Sequence, residues 1–164
     1  MTNLDAENYE TDVRFKKALE YYRAGEVHEA EKICKEICHA NPDYSPALHL
    51  LGIVAYRGGL YDVAVNQMIR AVQLSPDTPF FHSDLGNVFL AQDKVNEAIL
   101  CYRNALRLAP NLVRPYYHLS IALTKKDLLD EALQSIEIAI KLKPDYTDAL
   151  YQAGFILGRK NKPD

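Results

Sequence analysis

The sequence predicts an all-α chain built from one two-helix unit stacked on copies of itself. Three observations predict it. Proline recurs every 34 residues, at Pro42, Pro76, Pro110 and Pro144. An alanine stands twelve residues before each of them, at Ala30, Ala64, Ala98 and Ala132. Between the prolines, apolar residues fall at helical rather than alternating spacing. A strict period of this length marks a repeat array. Stacked repeats present an extended surface rather than a catalytic pocket.

With the proline placed at position 32, repeat one spans 11–44, repeat two 45–78, repeat three 79–112 and repeat four 113–146. A fifth begins at Thr147 and is cut off at Asp164, and residues 1–10 form a polar segment ahead of the array. No insertion disturbs the register. The first helix of each unit, helix A, carries its apolar or small residues at positions 4, 7, 8 and 11: Leu48, Leu51, Gly52 and Ala55 in repeat two; His82, Leu85, Gly86 and Phe89 in repeat three; Tyr116, Leu119, Ser120 and Leu123 in repeat four. This is one face of a helix. Positions 20, 24, 27 and 28 repeat the pattern in helix B, as in Ala98, Tyr102, Ala105 and Leu106.

Prolines and glycines set the boundaries. Each position-32 proline is followed by Asp or Asn (Asp43, Asp77, Asn111, Asp145), a turn signal. Pro46, Pro79 and Pro115 fall in the first turn of a helix A, where the missing N–H costs little. Thr78 is placed to cap the helix that Pro79 opens. Gly25, Gly59, Asp93 and Asp127 share position 15, at the turn between helices A and B. Gly52, Gly86 and Gly154 share position 8 inside helix A. A mid-helix glycine costs about 1 kcal/mol relative to alanine. Its recurrence predicts a close approach of helix B there, with the position-20 alanine opposite.

The half repeat at the chain end gives a further expectation. Leu150, Ala153, Gly154 and Leu157 are read as packing on repeat four, and Ala149, Phe155 and Ile156 as uncovered. Pro163 falls where a fifth helix B would open. The expectation is a fragment of a longer protein that self-associates through Phe155 and Ile156.

The pattern resembles the tetratricopeptide repeat. Leu-Gly at 51–52 and 85–86, alanine at position 20, an apolar or aromatic residue at 24, alanine at 27 (Ala71, Ala105, Ala139) and proline at 32 carry the resemblance, over residues 11–164. The chain departs from the family in having no Trp, and repeat one is the poorest match. The resemblance implies an α-solenoid, a right-handed superhelix of antiparallel helix pairs with four full repeats and a terminal half repeat. Its concave groove would be lined by the A helices. The function this implies is non-catalytic binding of an extended peptide or partner protein.

In this family the groove positions of helix A are roughly 2, 5, 6, 9, 12 and 13. They map here onto Pro46, His49, Leu50, Ile53, Tyr56 and Arg57 in repeat two. Repeat three supplies Phe80, Ser83, Asp84, Asn87, Leu90 and Ala91, and repeat four Arg114, Tyr117, His118, Ile121, Thr124 and Lys125. The half repeat adds Asp148, Tyr151, Gln152, Phe155 and Arg159. Aromatic rings, amides and a few charges suit an extended peptide. The competing reading is a set of solvated polar helix faces. Position 13 is basic in four units, at Arg23, Arg57, Lys125 and Arg159. These cations either meet an acidic segment or offset helix C-terminal dipoles.

Two narrower resemblances bear on the partner. Co-chaperones of the family clamp a terminal carboxylate with Lys or Arg at position 5 and Asn at position 9. The pairs here, Phe15/Leu19, His49/Ile53, Ser83/Asn87 and Tyr117/Ile121, do not match. The run Phe81-His-Ser-Asp-Leu-Gly-Asn87 is similar to the asparagine-bearing helices that precede O-linked N-acetylglucosamine transferases. That similarity implies a substrate-recruiting region of a larger transferase.

Composition narrows the rest. At 48% hydrophobic and 25% charged the chain can bury a core. A net charge of −3 argues against a general nucleic-acid binder, and no apolar run approaches the ~20 residues of a membrane span. No metal, cofactor, nucleophile-elbow or phosphate-loop motif is found, so no cofactor and no catalytic residue is assigned. The five histidines share no repeat position. Three cysteines, Cys34, Cys38 and Cys101, do not form a disulfide framework; they read as buried apolar residues of a cytoplasmic protein.

Overall fold

The computed structural model describes residues 3–161, with side chains from residue 9 onward. Among them are nine α-helices and no strand. The A helices are α1 (Asn3–Ala24), α3 (Ser45–Arg57), α5 (Pro79–Ala91), α7 (Val113–Lys125) and α9 (Thr147–Lys160). The B helices are α2 (Val27–Ala40), α4 (Tyr61–Leu74), α6 (Val95–Leu108) and α8 (Leu129–Leu142). From α2 and α3 onward, each helix begins 34 residues after its counterpart, as the proline period predicts. The first helix is longer, because the polar segment ahead of the array is itself helical from Asn3. Lys162, Pro163 and Asp164, and with them the expected opening of a fifth helix B, lie outside the described residues.

The turn between helices A and B is the same in all four repeats. Position 15 takes a left-handed backbone, with φ of +85° at Gly25, +75° at Gly59, +60° at Asp93 and +61° at Asp127. The N–H of position 16 reaches back to the carbonyl of position 11: Glu26 to Tyr21, Leu60 to Ala55, Lys94 to Phe89 and Leu128 to Leu123, at 2.9–3.0 Å. This is the helix-ending bond that a left-handed residue permits. Glycine reaches it without strain, and Asp is among the few other residues that tolerate it. Thr78 does occupy the N-cap of α5, but its side chain makes no cap hydrogen bond. Pro79 at N1 leaves one fewer N–H to satisfy there.

By compactness the chain divides into two units, Met1–Pro76 and Asp77–Asp164. In the first, Ala18, Cys34, Ile37, Ala47 and Leu50 form a core against Phe15, Tyr22 and Tyr44. Leu50, at a groove position by sequence, is thus a core residue, 2% exposed. In the second, Tyr102, Leu119, Leu123, Ile136, Ala149 and Ile156 anchor a larger core.

At Gly52 and Gly86 the position-8 glycine does mark a close approach of helix B, and the nearest atoms there belong to the position-24 side chain. A Cβ on Gly52 would lie 2.6 Å from Met68 Cγ, and one on Gly86 would lie 2.7 Å from Tyr102 Cε1. Met68 and Tyr102 both stand at position 24. Helix B therefore drops its large position-24 side chain into the glycine notch. The side-chain-free glycine makes room for a ring or thioether, and at Gly52 the backbone carbonyl of the position-20 residue Ala64 also lies 3.4 Å from the Cβ position.

In the half repeat Ala153 packs on the core and Phe155 is exposed, as the sequence reading expects, but the other positions differ from it. Ala149 and Ile156 are fully buried, whereas Leu150 and Leu157 are exposed and Gly154 faces open space. Positions 3 and 10 of helix A pack on the preceding repeat, as Ala47 does in α3 and Ala122 in α7. Positions 4, 8 and 11 instead form the bed for helix B of the same repeat, and no described helix B follows α9.

Candidate functional site

Six of the predicted groove residues of repeats three and four converge on one cavity. It has a volume of about 240 Å³ and lies between α5 and α7. Phe80, Ser83, Asp84 and Asn87 line it from α5, Arg114 and His118 from α7, with Leu112, Val113 and Pro115 at the α7 entrance. Positions 2, 6 and 9 meet because successive A helices lie side by side within this unit.

The cavity's polar groups are held from behind by Tyr102. Its hydroxyl donates to Asn87 Oδ1 at 2.9 Å. Asn87 Nδ2 in turn points toward Asp84 Oδ1 at 3.4 Å. The Tyr102 ring stacks on His118, with centroids 5.9 Å apart and planes 18° from parallel. Tyr117 meets His118 edge-on at 5.1 Å and packs on Tyr146 at 5.3 Å. Tyr117 does not line the cavity. Burial, aided by the nearby Arg114 cation and opposed by Asp84, pushes the His118 pKa down to about 4. His118 is therefore neutral at physiological pH. The site offers an amide N–H, a carboxylate, a guanidinium, a neutral imidazole and an apolar wall. These are groups that can hydrogen-bond and pack against a ligand.

Several other predicted site residues are engaged within the fold. Lys125 pairs with Asp93 at 2.6 Å. Arg159 donates to the Thr124 carbonyl and to Asp127, each at 2.9 Å. Arg57 donates to the Tyr22 hydroxyl at 3.0 Å and covers that ring. The basic position-13 residues at 57, 125 and 159 thus lock onto the preceding repeat. In two cases the partner is the position-15 Asp of the turn, so one residue both accepts the left-handed backbone and anchors the next repeat. Gln152 Nε2 donates to Thr124 Oγ1 at 3.3 Å. Ile121 is partly exposed on α7, and Tyr151, 78% exposed, stands out from α9. His49 and Tyr56 lie on α3 in the first unit, Tyr56 packing on Tyr61 at 5.9 Å.

A second cavity, of about 490 Å³, belongs to the first unit and has no counterpart in the sequence reading. Lys35, Leu51, Val54, Leu60, Val63 and Gln67 are among its lining residues. It is larger but mostly apolar, and Arg57 is the one predicted groove residue in it. Its walls come from three helices and a turn: Val27, Glu31 and Lys35 from α2, Leu51, Val54, Ala55 and Arg57 from α3, and Val63 and Gln67 from α4. The cavity between α5 and α7 is the better candidate because its hydrogen-bonding groups converge.

Cys34 and Cys101 are buried and Cys38 is half-buried. Burial, with Cys38 adding to it, pushes the Cys34 pKa up to about 12; burial and Glu97 push Cys101 up to about 11. Both stay protonated, as their reading as core residues expects.

Comparison with known proteins fits this geometry. Models of the tetratricopeptide repeat match residues 15–79 and 113–146, and a TPR repeat model matches residues 86–127. The chain carries tetratricopeptide repeats. Its fold is that of MamA from Desulfovibrio magneticus RS-1, with a TM-score of 0.83 over 92% of this chain and 85% of that one, at 22% identity. An O-GlcNAc transferase mutant from Thermobaculum terrenum matches at 31% identity with a TM-score of 0.78, over 86% of this chain but 27% of that one. A cell division cycle protein 27 homolog from Caenorhabditis elegans is 32% identical over 81 residues, 49% of this chain and 10% of the relative. Curated relatives of this tetratricopeptide repeat chain are thus much longer than it is, and it spans between 10% and 23% of four of them.

Proposed function

We propose that this chain is a non-catalytic interaction module that binds an extended peptide, or an extended segment of a partner protein, across its A helices. The observation that carries this reading is the cavity between α5 and α7. There Asn87 and Asp84 are pre-positioned by Tyr102 rather than left to solvent. A peptide amide fits that pair: its carbonyl meets the remaining Asn87 N–H and its N–H meets the Asp84 carboxylate. Phe80 and Arg114 at the rim select the adjoining side chains. Pre-positioning lowers the ordering cost of binding. The same reading places the protein in the cytoplasm, where unpaired thiols stay reduced.

The test is selection of binding peptides from a random display library, followed by calorimetry. Phe80 and Arg114 are both exposed, so their replacement should spare the fold. Phe80→Ala with Arg114→Ala is expected to weaken a selected peptide about tenfold or more, as aromatic and arginine anchors do. The melting temperature should stay within a few degrees. Undiminished affinity would place binding elsewhere.

A second reading has its own observation: the 31% identity to the Thermobaculum terrenum transferase. In that case the repeats recruit substrate for a glycosyltransferase-like domain encoded beyond Asp164. Reading the gene past that codon separates the two.

A further inference from the structure

We infer that the cavity of the first unit is a second binding site, which takes a small aromatic carboxylate. The inference rests on a comparison between equivalent places in the two units. Two repeats further along the chain, Arg103, Leu123, Lys126 and Leu128 stand where the first unit has Lys35, Ala55, Gly58 and Leu60, and they line a cavity of their own. That cavity holds about 240 Å³, against about 490 Å³ in the first unit. The difference follows from side-chain size. Position 11 of helix A is Phe89 in α5 and Leu123 in α7, but only Ala55 in α3, and Gly58 replaces the long Lys126. Small-molecule sites have volumes of about 300–1,000 Å³, so the first cavity falls in their range and its counterpart falls below it.

The same comparison gives the chemistry of the occupant. Leu51, Val54, Leu60 and Val63 make the wall apolar, and the group that α5 carries at the equivalent of Ala55 is a phenyl ring. The body of the ligand is therefore a ring. The acidic group follows from the charges. In the second unit an ion pair between Arg103 and Glu131, at 2.8 Å, ties α6 to α8 beside the smaller cavity. Their equivalents in the first unit are Lys35 and Val63, so the cation stays and the acid across from it is lost. Val63 is 47% exposed and Leu60 61%, which leaves an apolar lip in water. Lys35 pairs instead with Glu31 on its own helix, at 2.5 Å, and its side chain is two-thirds exposed. Such a pair is weak and readily exchanged. Arg57, the other cation of the lining, is held by the Tyr22 hydroxyl and ring. A ligand carboxylate at the lip would supply to Lys35 what Glu131 supplies to Arg103.

Titration of the full chain with naphthoate, and with its uncharged amide naphthamide, tests this, followed by the NMR signals of the methyl groups. Naphthoate is expected to saturate with a dissociation constant of about a millimolar or below, shifting the methyls of Leu51, Val54 and Val63. Naphthamide should bind about threefold or more weakly, the share of one exposed ion pair. Ala55→Phe gives α3 the residue that α5 carries, fills the cavity and should abolish saturation without lowering the melting temperature. Val63→Glu, at the exposed lip, rebuilds the acid of the second unit opposite Lys35. It should weaken naphthoate about threefold or more and leave naphthamide unchanged. If Ala55→Phe does not fold, Val63→Glu still decides. A response to naphthoate that never saturates overturns the inference. So does equal affinity for acid and amide, or a Val63→Glu variant that binds naphthoate as the parent does.

Discussion

Helices α5 and α9 carry a glycine at the same repeat position, and the two glycines meet opposite surroundings. Gly86 lies beneath the buried ring of Tyr102, while Gly154 looks onto open space. Neither the residue nor its position differs. The presence of a helix B is what differs. A repeat consensus therefore specifies a seat, and only the neighbouring helix makes that seat into a core. The same difference links fold to site: Tyr102 fills the notch of α5 and with its hydroxyl positions Asn87 in the cavity.

The largest expected effect breaks the occupied notch. Gly86→Leu must displace a rigid ring that is fully buried, and overpacking of this kind costs about 3 kcal/mol or more. The nearest clash is with the Tyr102 ring, so the additional change Tyr102→Ala should recover part of the loss in a denaturant titration. If Gly86→Leu melts with the parent, the notch is not a close contact.

A smaller effect falls on the link between notch and site. Asn87→Ala removes the hydrogen bond from the part-buried Tyr102 hydroxyl, a loss of about 1 kcal/mol. Its removal should lower both stability and peptide affinity. Tyr102→Phe in the Asn87→Ala background should restore stability but not affinity. Chemical denaturation and calorimetry on the parent, the two single variants and the double variant read out both quantities.

The smallest effect has the opposite sign and probes the empty notch. Gly154→Ala adds a methyl group where nothing stands within 4 Å, so helix propensity alone acts. It is expected to stabilise the monomer by up to about 1 kcal/mol. A destabilised monomer in dilute solution would show that the seat on α9 is already filled.

Much of the fold could be read directly. The 34-residue period places α2 to α9 at their observed starts, and position 15 foretells the left-handed turn through both its glycines and its aspartates. The candidate site was legible in outline: six of the predicted groove residues line one cavity. The engagement of Lys125 and Arg159 with turn aspartates was not, because those pairs join residues 32 apart in sequence whose relation depends on how two repeats stack. Nor was the cavity at Gln67, because it depends on how α2, α3 and α4 pack together.

By itself, then, the sequence determined which residues are equivalent to one another, because a repeated hydrophobic pattern has only one way to bury itself at helical spacing. It could not determine what lies opposite each of them. That Ile156 is buried and Leu157 exposed follows from which neighbour α9 has and which it lacks. That Asn87 is held by Tyr102 follows from a ring of the next helix lying in the notch at Gly86. Equivalence is a property of the chain. Burial, and with it the energy of each contact, is decided only when a second surface arrives.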